Sequence, residues 1–375
     1  MPSQAKSMRH SEKCARLNPL NCCQEIPFVI GNQPLLVYCP SVLSVAHVAI
    51  HPSAFPENVR RDLLRSLHTR RINPKFLYVT HRQSQLWLAL HEAHSPARTD
   101  PGCIAIYDRS FETAADVLRA SRVHVIGLGC GGGQKDARLL RSLAGWGGEV
   151  SYCPCDVSLS LVLTSAQAAQ KEICGITCHP LVCDIGAAED LAEVFSQQTG
   201  ASVPRVLAFF GMIPNFEPEL ILPWLAALVR PNDLLLFSAN LAPGSDYAAG
   251  VQKILPGYDN PQTRDWLAAF LYDLGVERDD GVIRFSIEES ASACKRIVAD
   301  YHFSRERVFK VYDESFVFAK DDKIRLFFSY RHTPRLVESL LLGHRLSILG
   351  QWIAPTGEEG VFLCQRAGDR PPKKP

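Results

Sequence analysis

Short apolar runs alternate with amphipathic segments through the middle of the chain. The runs predict β-strands at residues 123–128, 150–155, 176–182, 205–210 and 233–238. The segments between them, such as the one ending near Lys171 and residues 218–228, have the spacing of helices. Strands this uniformly apolar are typical of a parallel sheet covered on both faces, so the pattern predicts a doubly wound α/β core.

The rhythm changes on both sides of this core. Amphipathic helices are predicted at residues 56–68 and 84–91 before it. After residue 238, residues 244–280 read as helical with a turn at 258–261. Three alternating runs then read as strands, at 282–287, 308–312 and 324–329. A helix at 334–342 and two final strands, at 344–352 and 360–364, predict an antiparallel hairpin at the edge of the core sheet.

These changes predict the domain organisation. The segments are an irregular extension at 1–41, an N-terminal segment contributing to a substrate domain at 42–99, the core at 100–240, an inserted α+β substrate-recognition domain at 241–330, the end of the core sheet at 331–367, and a tail at 368–375.

Composition narrows the class of protein. The 375 residues are 46% hydrophobic, and 40 lysines and arginines nearly balance 39 aspartates and glutamates. This balance argues against nucleic acid or a membrane surface as the main partner, and no apolar run approaches the roughly 20 residues of a membrane span. The 13 cysteines are scattered, so we expect free thiols and a cytoplasmic location. Their spacing lacks paired zinc knuckles, and we expect no metal.

A glycine cluster carries the main chemical signal. Residues 129–133, Gly-Cys-Gly-Gly-Gly, follow the first core strand and open a helix, and the next two strands end in Asp156 and Asp184. Glycines let the backbone approach a ligand, and an acid at a strand end accepts ribose hydroxyls. We therefore predict a nucleotide-type cofactor held by Gly129, Gly131 and Asp156. Asp184 either faces the adenine amine or caps the following helix.

The cofactor is expected to be S-adenosylmethionine rather than a dinucleotide. The residues after the glycines, Gln134, Lys135 and Asp136, do not form a phosphate-binding Walker pattern. The antiparallel tail after five parallel strands also favours the seven-stranded, Rossmann-like class I methyltransferase fold. Lys135 either reaches a carboxylate of the cofactor or is a solvated helix residue.

Four segments together resemble one family. They are residues 74–78, the glycine turn with Lys135, residues 152–158 and residues 209–216. Over about 73–366 the chain resembles the histidine-specific, S-adenosylmethionine-dependent N-methyltransferases of ergothioneine biosynthesis, a family with fungal relatives acting on other amino acids. The resemblance implies a methyltransferase core and a substrate domain built from the N-terminal segment and the insert.

The resemblance also implies roles for individual residues. Gly129, Lys135, Asp156 and Asp184 would hold the cofactor, and Gly211 is a further cofactor-binding position. The amine and carboxylate of an amino acid would be held near Gly211, Asn215 and Tyr258, with Asn215 and Tyr258 as the catalytic residues that orient the amine. The substrate-side positions also include Tyr78, Phe327 and Ser329, and Arg331 lies at the end of the insert.

Three positions depart from the family. Gly127 stands where an acid usually opens the glycine motif, near the methionine end of the cofactor. Ser95 stands where a substrate tyrosine is usual, and Phe327 replaces the glutamate that holds the imidazole. An imidazole without that charged partner would lose roughly 1.5–3 kcal/mol. An apolar or aromatic amine would suit Phe327 better than histidine.

Three hypotheses remain from the sequence. The leading one is methyl transfer to the nitrogen of a small-molecule amine or amino acid, with the oligomeric state left open. The second is a cofactor-binding protein or divergent member that has lost or changed methyl transfer, because of Gly127, Ser95 and Phe327. The third is a nicotinamide-dependent dehydrogenase.

Overall fold

A computed structural model describes residues 27–30, 33–36, 46–200, 202–290 and 294–367. The strands are β1 (Pro27–Ile30), β2 (Gln33–Leu36), β3 (Ala49–Ile50), β4 (Arg122–Leu128), β5 (Glu149–Asp156), β6 (Thr177–Cys178), β7 (Leu181–Val182), β8 (Arg205–Phe209), β9 (Leu234–Asn240), β10 (Gly281–Glu289), β11 (Lys295–Phe303), β12 (Arg307–Val311), β13 (Glu314–Phe318), β14 (Lys323–Tyr330), β15 (Leu346–Ile353) and β16 (Glu359–Arg366). The helices are α1 (Pro56–Thr69), α2 (His81–His94), α3 (Pro96–Thr99), α4 (Pro101–Leu118), α5 (Gln134–Ala144), α6 (Leu159–Glu172), α7 (Leu191–Gln198), α8 (Pro218–Leu228), α9 (Tyr247–Tyr258), α10 (Pro261–Asp273) and α11 (Pro334–Gly343).

The chain divides into two compact units, residues 1–44 and 45–375. In the first, β1 and β2 pair as an antiparallel hairpin. The sequence predicted an irregular extension there, and the hairpin is a difference from that expectation. The other residues of the 1–41 segment, and the tail from residue 368, lie outside the described part of the chain.

The second unit is organised around one large sheet. Its strand order is β15-β16-β9-β8-β4-β5-β7-β3, with β6 beside β5. The strands from β9 to β3 are parallel. Strand β16 runs antiparallel to both β9 and β15, so β15 has the same direction as the parallel strands. This arrangement confirms the predicted doubly wound fold with a closing hairpin at its edge.

Alternate residues of each central strand enter different cores. In β4, Val123 and Val125 pack with α4 and α5 on one face, whereas Ile126 and Leu128 pack on the face covered by α7, α8 and α11. Both faces are therefore buried, which explains why the strands read as uniformly apolar runs.

The third predicted strand differs from expectation at its centre. It is split into β6 and β7 around His179 and Pro180. Proline has no N–H for the ladder, so the pairing is interrupted at that point. The main chain of His179 still donates to the Tyr152 carbonyl at 2.8 Å.

Helix α4 was not predicted. It starts at Pro101, and the Asp100 carboxylate caps it by accepting from the Cys103 N–H at 2.6 Å. An Asp-Pro pair at a helix start is a recognisable signal. This helix covers β4 and β16 and so helps to form the wall behind Lys135.

The insert forms two small antiparallel sheets, β10-β11-β14 and β12-β13. Strands β11 and β13 were missing from the prediction. The insert shares one apolar core with α1 and the 3₁₀ turn Pro74–Leu77, in which Trp266 and Phe270 of α10 pack near Phe76. Across the described residues, no helix has both the length and the apolar character to cross a membrane.

Candidate active site

A cavity of about 1240 Å³ lies at the carboxyl ends of the parallel strands. Eight of the residues predicted from the sequence line it: Tyr78, Gly129, Gly131, Lys135, Asp156, Asp184, Gly211 and Asn215. In an open α/β sheet, this edge is where ligands bind. The fold therefore brings the predicted cofactor residues and Asn215 to one space.

The glycine loop after β4 has the conformation that only glycine adopts easily. Gly129, Gly131 and Gly133 have φ of +66°, +53° and +76°. A Cβ at Gly131 would also lie 2.7 Å from the ring of Trp87 on α2. Both observations explain why the sequence has glycine here, and they place bare backbone on the cavity wall.

Asp156 ends β5 directly beside this loop. Its carboxylate accepts from the Gly131 N–H at 3.1 Å and from the Ser158 N–H at 3.0 Å. Burial raises the pKa of Asp156 to about 6, although both hydrogen bonds oppose the shift. An oriented carboxylate at the end of the second core strand is well placed for the hydroxyls of a ribose.

Asp184 follows β7 and is held on two sides. One oxygen accepts from the Lys75 ammonium at 2.9 Å, and the other accepts from the Gly186 N–H at 3.0 Å. Lys75 also donates to Asp62 at 2.6 Å. Asp184 thus caps a turn and anchors the N-terminal segment to the core, while its contact with adenine stays a prediction.

Lys135 points along the wall formed by α4 and β16. Its ammonium donates to the Tyr107 hydroxyl at 3.0 Å and lies 3.8 Å from a carboxylate oxygen of Glu359. The Tyr107 hydroxyl donates to the same carboxylate. Lys135 is therefore a cation on the cavity wall whose charge is partly balanced by Glu359.

The turn after β8 positions Gly211 and Asn215. Gly211 has φ of +69°, and its N–H donates to the Ser238 hydroxyl at 2.8 Å. The Asn215 side-chain amide donates to the Phe328 carbonyl of β14 at 2.6 Å. This bond ties the turn to the insert and fixes the side chain of Asn215 in the wall.

Three of the predicted acceptor residues, Tyr258, Phe327 and Ser329, do not line the cavity. The Tyr258 hydroxyl donates to the Ser329 hydroxyl at 2.8 Å and accepts from Arg331 at 2.7 Å. Asn240, which does line the cavity, lies 3.5 Å from the Ser329 hydroxyl. The hydroxyl cluster is thus one residue away from the open space, and its role in acceptor binding stays a prediction.

Phe327 lies in the apolar core of the insert. It is 8% exposed, with ring centroids 5.7 Å from Trp266 and 6.2 Å from Tyr258. No carboxylate stands at this position, and the side chain packs among other rings instead of lining the cavity.

Several lining residues were missed by the sequence reasoning. They are Trp87, His91, Asp136, Phe210, Met212, Glu217, Phe328 and Glu359. Trp87 and His91 stack with centroids 4.9 Å apart, and their spacing of four residues on one helix was a usable signal. Burial lowers the pKa of His91 to about 3, and its Nδ1 has no hydrogen-bond partner among the described residues.

Comparison with known proteins identifies the family of this chain. The sequence model of one family, described as histidine-specific methyltransferase, SAM-dependent, matches residues 59–366. The chain belongs to this family. A search of curated proteins finds no match.

Two solved structures illustrate the wider similarity of this family member. The first is magnesium protoporphyrin IX methyltransferase from Synechocystis PCC 6803 with bound SAH, at 13% identity and a TM-score of 0.37, over 84% of this chain and 100% of that one. The second is 1,6-didemethyltoxoflavin-N1-methyltransferase from Burkholderia thailandensis with bound 1,6-didemethyltoxoflavin and S-adenosylhomocysteine. It has 10% identity and a TM-score of 0.36, over 77% of this chain and 90% of that one. These scores are low, and the assignment depends on the family match.

The family uses S-adenosylmethionine, and the residues present fit that cofactor. The glycine loop leaves bare backbone at the cavity, and Asp156 presents a buried carboxylate next to it. The bound cofactor supplies an electrophilic methyl group. The glycine loop would form the backbone cradle, Asp156 would accept the ribose hydroxyls, and the Lys135 ammonium would face the carboxylate of the cofactor.

Proposed function

We propose that this methyltransferase transfers a methyl group to the nitrogen of a small-molecule amine or amino acid other than histidine. The observation that carries the proposal is the setting of Asn215. Its Nδ2 is committed to the Phe328 carbonyl at 2.6 Å, within the cavity wall. Its Oδ1 is left to accept a hydrogen bond from an N–H of the acceptor.

Such a hydrogen bond has a specific use in this reaction. Methyl transfer is a displacement in which a neutral amine lone pair must line up with the bond that breaks. The Asn215 side chain is fixed by its bond to the Phe328 carbonyl, and its Oδ1 would accept a hydrogen bond from an N–H of the substrate amine. This bond would orient the lone pair of the same nitrogen. Alignment of reacting groups can contribute roughly 7–11 kcal/mol to lowering a barrier.

The character of the cavity supports an apolar or aromatic acceptor. Its walls include the aromatic side chains of Trp87, Phe210, Phe216 and Phe328. Phe327 stands where the family resemblance expects an imidazole-binding glutamate. We infer that Tyr258 and Ser329 contribute to acceptor binding through Asn240 rather than by direct contact with the open cavity.

The test is product identification with matched acceptors. The protein is incubated with methyl-labelled S-adenosylmethionine and aromatic amino acids, their decarboxylated amines, histidine, and phenols of the same size. Mass spectrometry then locates the label. We expect N-methylated products from aromatic amines, with histidine at least about tenfold less efficient, the equivalent of roughly 1.4 kcal/mol.

Two outcomes contradict the proposal. Label on oxygen of the phenols alone would make the protein an O-methyltransferase. Cofactor binding without methylated product from any acceptor would favour a member that has lost transfer.

A further inference from the structure

The Asp136 carboxylate occupies the space in which a side chain at position 127 would lie. A Cβ atom at Gly127 would lie 2.1 Å from Oδ2 of Asp136 and 2.9 Å from the Tyr152 hydroxyl oxygen. The volume beside β4 that a side chain at position 127 would enter is therefore filled by the Asp136 carboxylate. Asp136 reaches it from the first turn of α5.

Asp136 is buried yet lines the cavity. It is 3% exposed, and its Oδ2 accepts from the Tyr152 hydroxyl at 2.6 Å. That hydroxyl is itself fixed by Ser165 at 2.7 Å. A buried carboxylate without a cation is costly unless a ligand supplies one.

The other cavity carboxylates already have strong partners. Among the described residues, six carboxylates line the space: Asp62, Asp136, Asp156, Asp184, Glu217 and Glu359. Asp62 and Asp184 share Lys75, Glu217 pairs with Arg296 at 2.9 Å, and Glu359 faces Lys135. Asp156 is held by two backbone N–H groups. Within the described chain, Asp136 makes no ion pair and is the acid most available to a cationic ligand group.

We propose that Asp136 binds the α-ammonium group of S-adenosylmethionine, replacing from helix α5 the acid that β4 lacks at Gly127. The neighbouring residue supports the choice of ligand group. Lys135 and Asp136 are consecutive, and both line the cavity with opposite charges. The methionine part of the cofactor is a zwitterion, whose carboxylate and ammonium match this pair. The inference depends on the cofactor of the family and not on the identity of the acceptor.

The test compares three ligands by calorimetry: S-adenosylmethionine, S-adenosylhomocysteine and 5′-methylthioadenosine. The last one lacks the amino-acid part. Asp136→Asn keeps the shape of the side chain, and Asp116→Asn on the surface of α4 is the matched control. We expect Asp136→Asn to weaken the first two ligands about 10- to 100-fold, to leave methylthioadenosine within about twofold, and Asp116→Asn to change nothing.

Each other outcome has a distinct meaning. Equal weakening of all three ligands would make Asp136 a structural residue, and weakening of S-adenosylmethionine alone would point to the sulfonium; either overturns the proposal. Unchanged affinity in Asp136→Asn also overturns it, while the methyltransferase assignment stands. Failure of the unaltered protein to bind any of the ligands would contradict the cofactor assignment itself.

A reciprocal exchange gives an independent check. Gly127 does not have a positive φ, so its backbone conformation suits a side chain. A side chain there needs the space of the Asp136 carboxylate and also a small shift of the Tyr152 hydroxyl, which lies 2.9 Å from the Cβ position. We expect Asp136→Ser to bind S-adenosylhomocysteine weakly, and the double variant Gly127→Asp with Asp136→Ser to recover at least part of the affinity. A folded double variant that binds no better than Asp136→Ser would show that the two positions are not interchangeable.

Discussion

The donor half and the acceptor half of the site are built in opposite ways. In the donor half, the glycine loop, Asp136 and Asp156 present backbone and carboxylates to the cavity. In the acceptor half, the Tyr258 hydroxyl donates to Ser329 and accepts from Arg331, and Phe327 packs in an apolar core. The half proposed to bind the cofactor thus exposes polar groups to the cavity. The half that would select the acceptor has turned its polar groups to internal contacts.

Phe327 offers the largest expected effect on this contrast. Phe327→Ala should lower the free energy of unfolding by about 3–4 kcal/mol, because it opens a void between Trp266 and Tyr258. The affinity for S-adenosylhomocysteine should not change. Denaturant unfolding and calorimetry measure the two quantities. Phe327→Leu, the control, should lower the free energy of unfolding by about 1 kcal/mol. A loss of cofactor affinity without a loss of stability would show that Phe327 contributes to the donor half.

Asp156→Asn probes the donor half in the reverse sense. Cofactor affinity should fall about 30- to 100-fold, since charge-assisted bonds to ribose hydroxyls are lost. The stability of the ligand-free protein should change little, because removal of a buried charge offsets the loss of one backbone hydrogen bond, which the Asn amide nitrogen cannot accept. Asp190→Asn, at an exposed pair with His51, serves as the control. A large drop in stability with intact affinity would show that Asp156 only braces the loop.

Asn215→Ala tests the residue that connects the two halves through its hydrogen bond to Phe328. We expect kcat/KM for the amine to fall about 10- to 30-fold, roughly 1.4–2 kcal/mol, with cofactor affinity unchanged. Steady-state kinetics and calorimetry separate these effects. A matched Asn240→Ala variant should raise KM more than it lowers kcat. Equal loss of cofactor binding in Asn215→Ala would place this residue in the donor half instead.

The last prediction is a pH dependence within the donor half. Burial raises the pKa of Asp136 to about 7 and that of Asp156 to about 6. Each carboxylate should bind the cofactor more tightly when it is ionised, so cofactor affinity should rise by at least about tenfold from about pH 5 to about pH 8. The groups facing Asp136 are Lys135 on its own helix, Tyr152 and Asp156 on β5, and Cys130 in the loop. Asp136→Asn should remove only the part of the rise near pH 7.

The ligand-free protein should show the opposite dependence. The unfolded chain releases these protons near pH 4, whereas the folded chain keeps them up to about pH 6–7. The free energy of unfolding therefore falls as pH rises through this window, by at most about 1.4 kcal/mol per pH unit for each group. Urea unfolding at a series of pH values measures this slope. A flat profile would mean that neither carboxyl is strained by burial.

The donor half could be predicted because its signals are local. The strand, the glycine turn and Asp156 are close in sequence, and their geometry follows from chain conformation alone. The role proposed for Asp136 was not predicted because it depends on the proximity of Asp136 on α5 to Gly127 on β4. The two residues are nine positions apart, and no periodic pattern in the sequence indicates that they meet. The closing hairpin was predictable because a short turn segment, residues 355–360, joins its two strands. The break at Pro180 depends on a single missing N–H.

The acceptor half was harder to predict for a physical reason. The resemblance identified Tyr258, Phe327 and Ser329 but not which way they face, because that depends on packing between segments far apart in the chain. Strands β11 and β13 were missed for the same reason, since small sheets are defined by their partners. Lys75 lies within the segment 74–78 that resembles the family, but its bridge between Asp62 and Asp184 is visible only in the fold.

Glu359 has a consequence for the order in which the protein matures on the ribosome. This residue begins β16 and contacts Tyr107 and Lys135, which precede it by more than 200 positions. A nascent chain stalled before residue 359 leaves the lysine without its counter-charge and the sheet without its closing hairpin. Competence to take up the methyl donor is therefore expected to appear only after β16 has emerged from the exit tunnel.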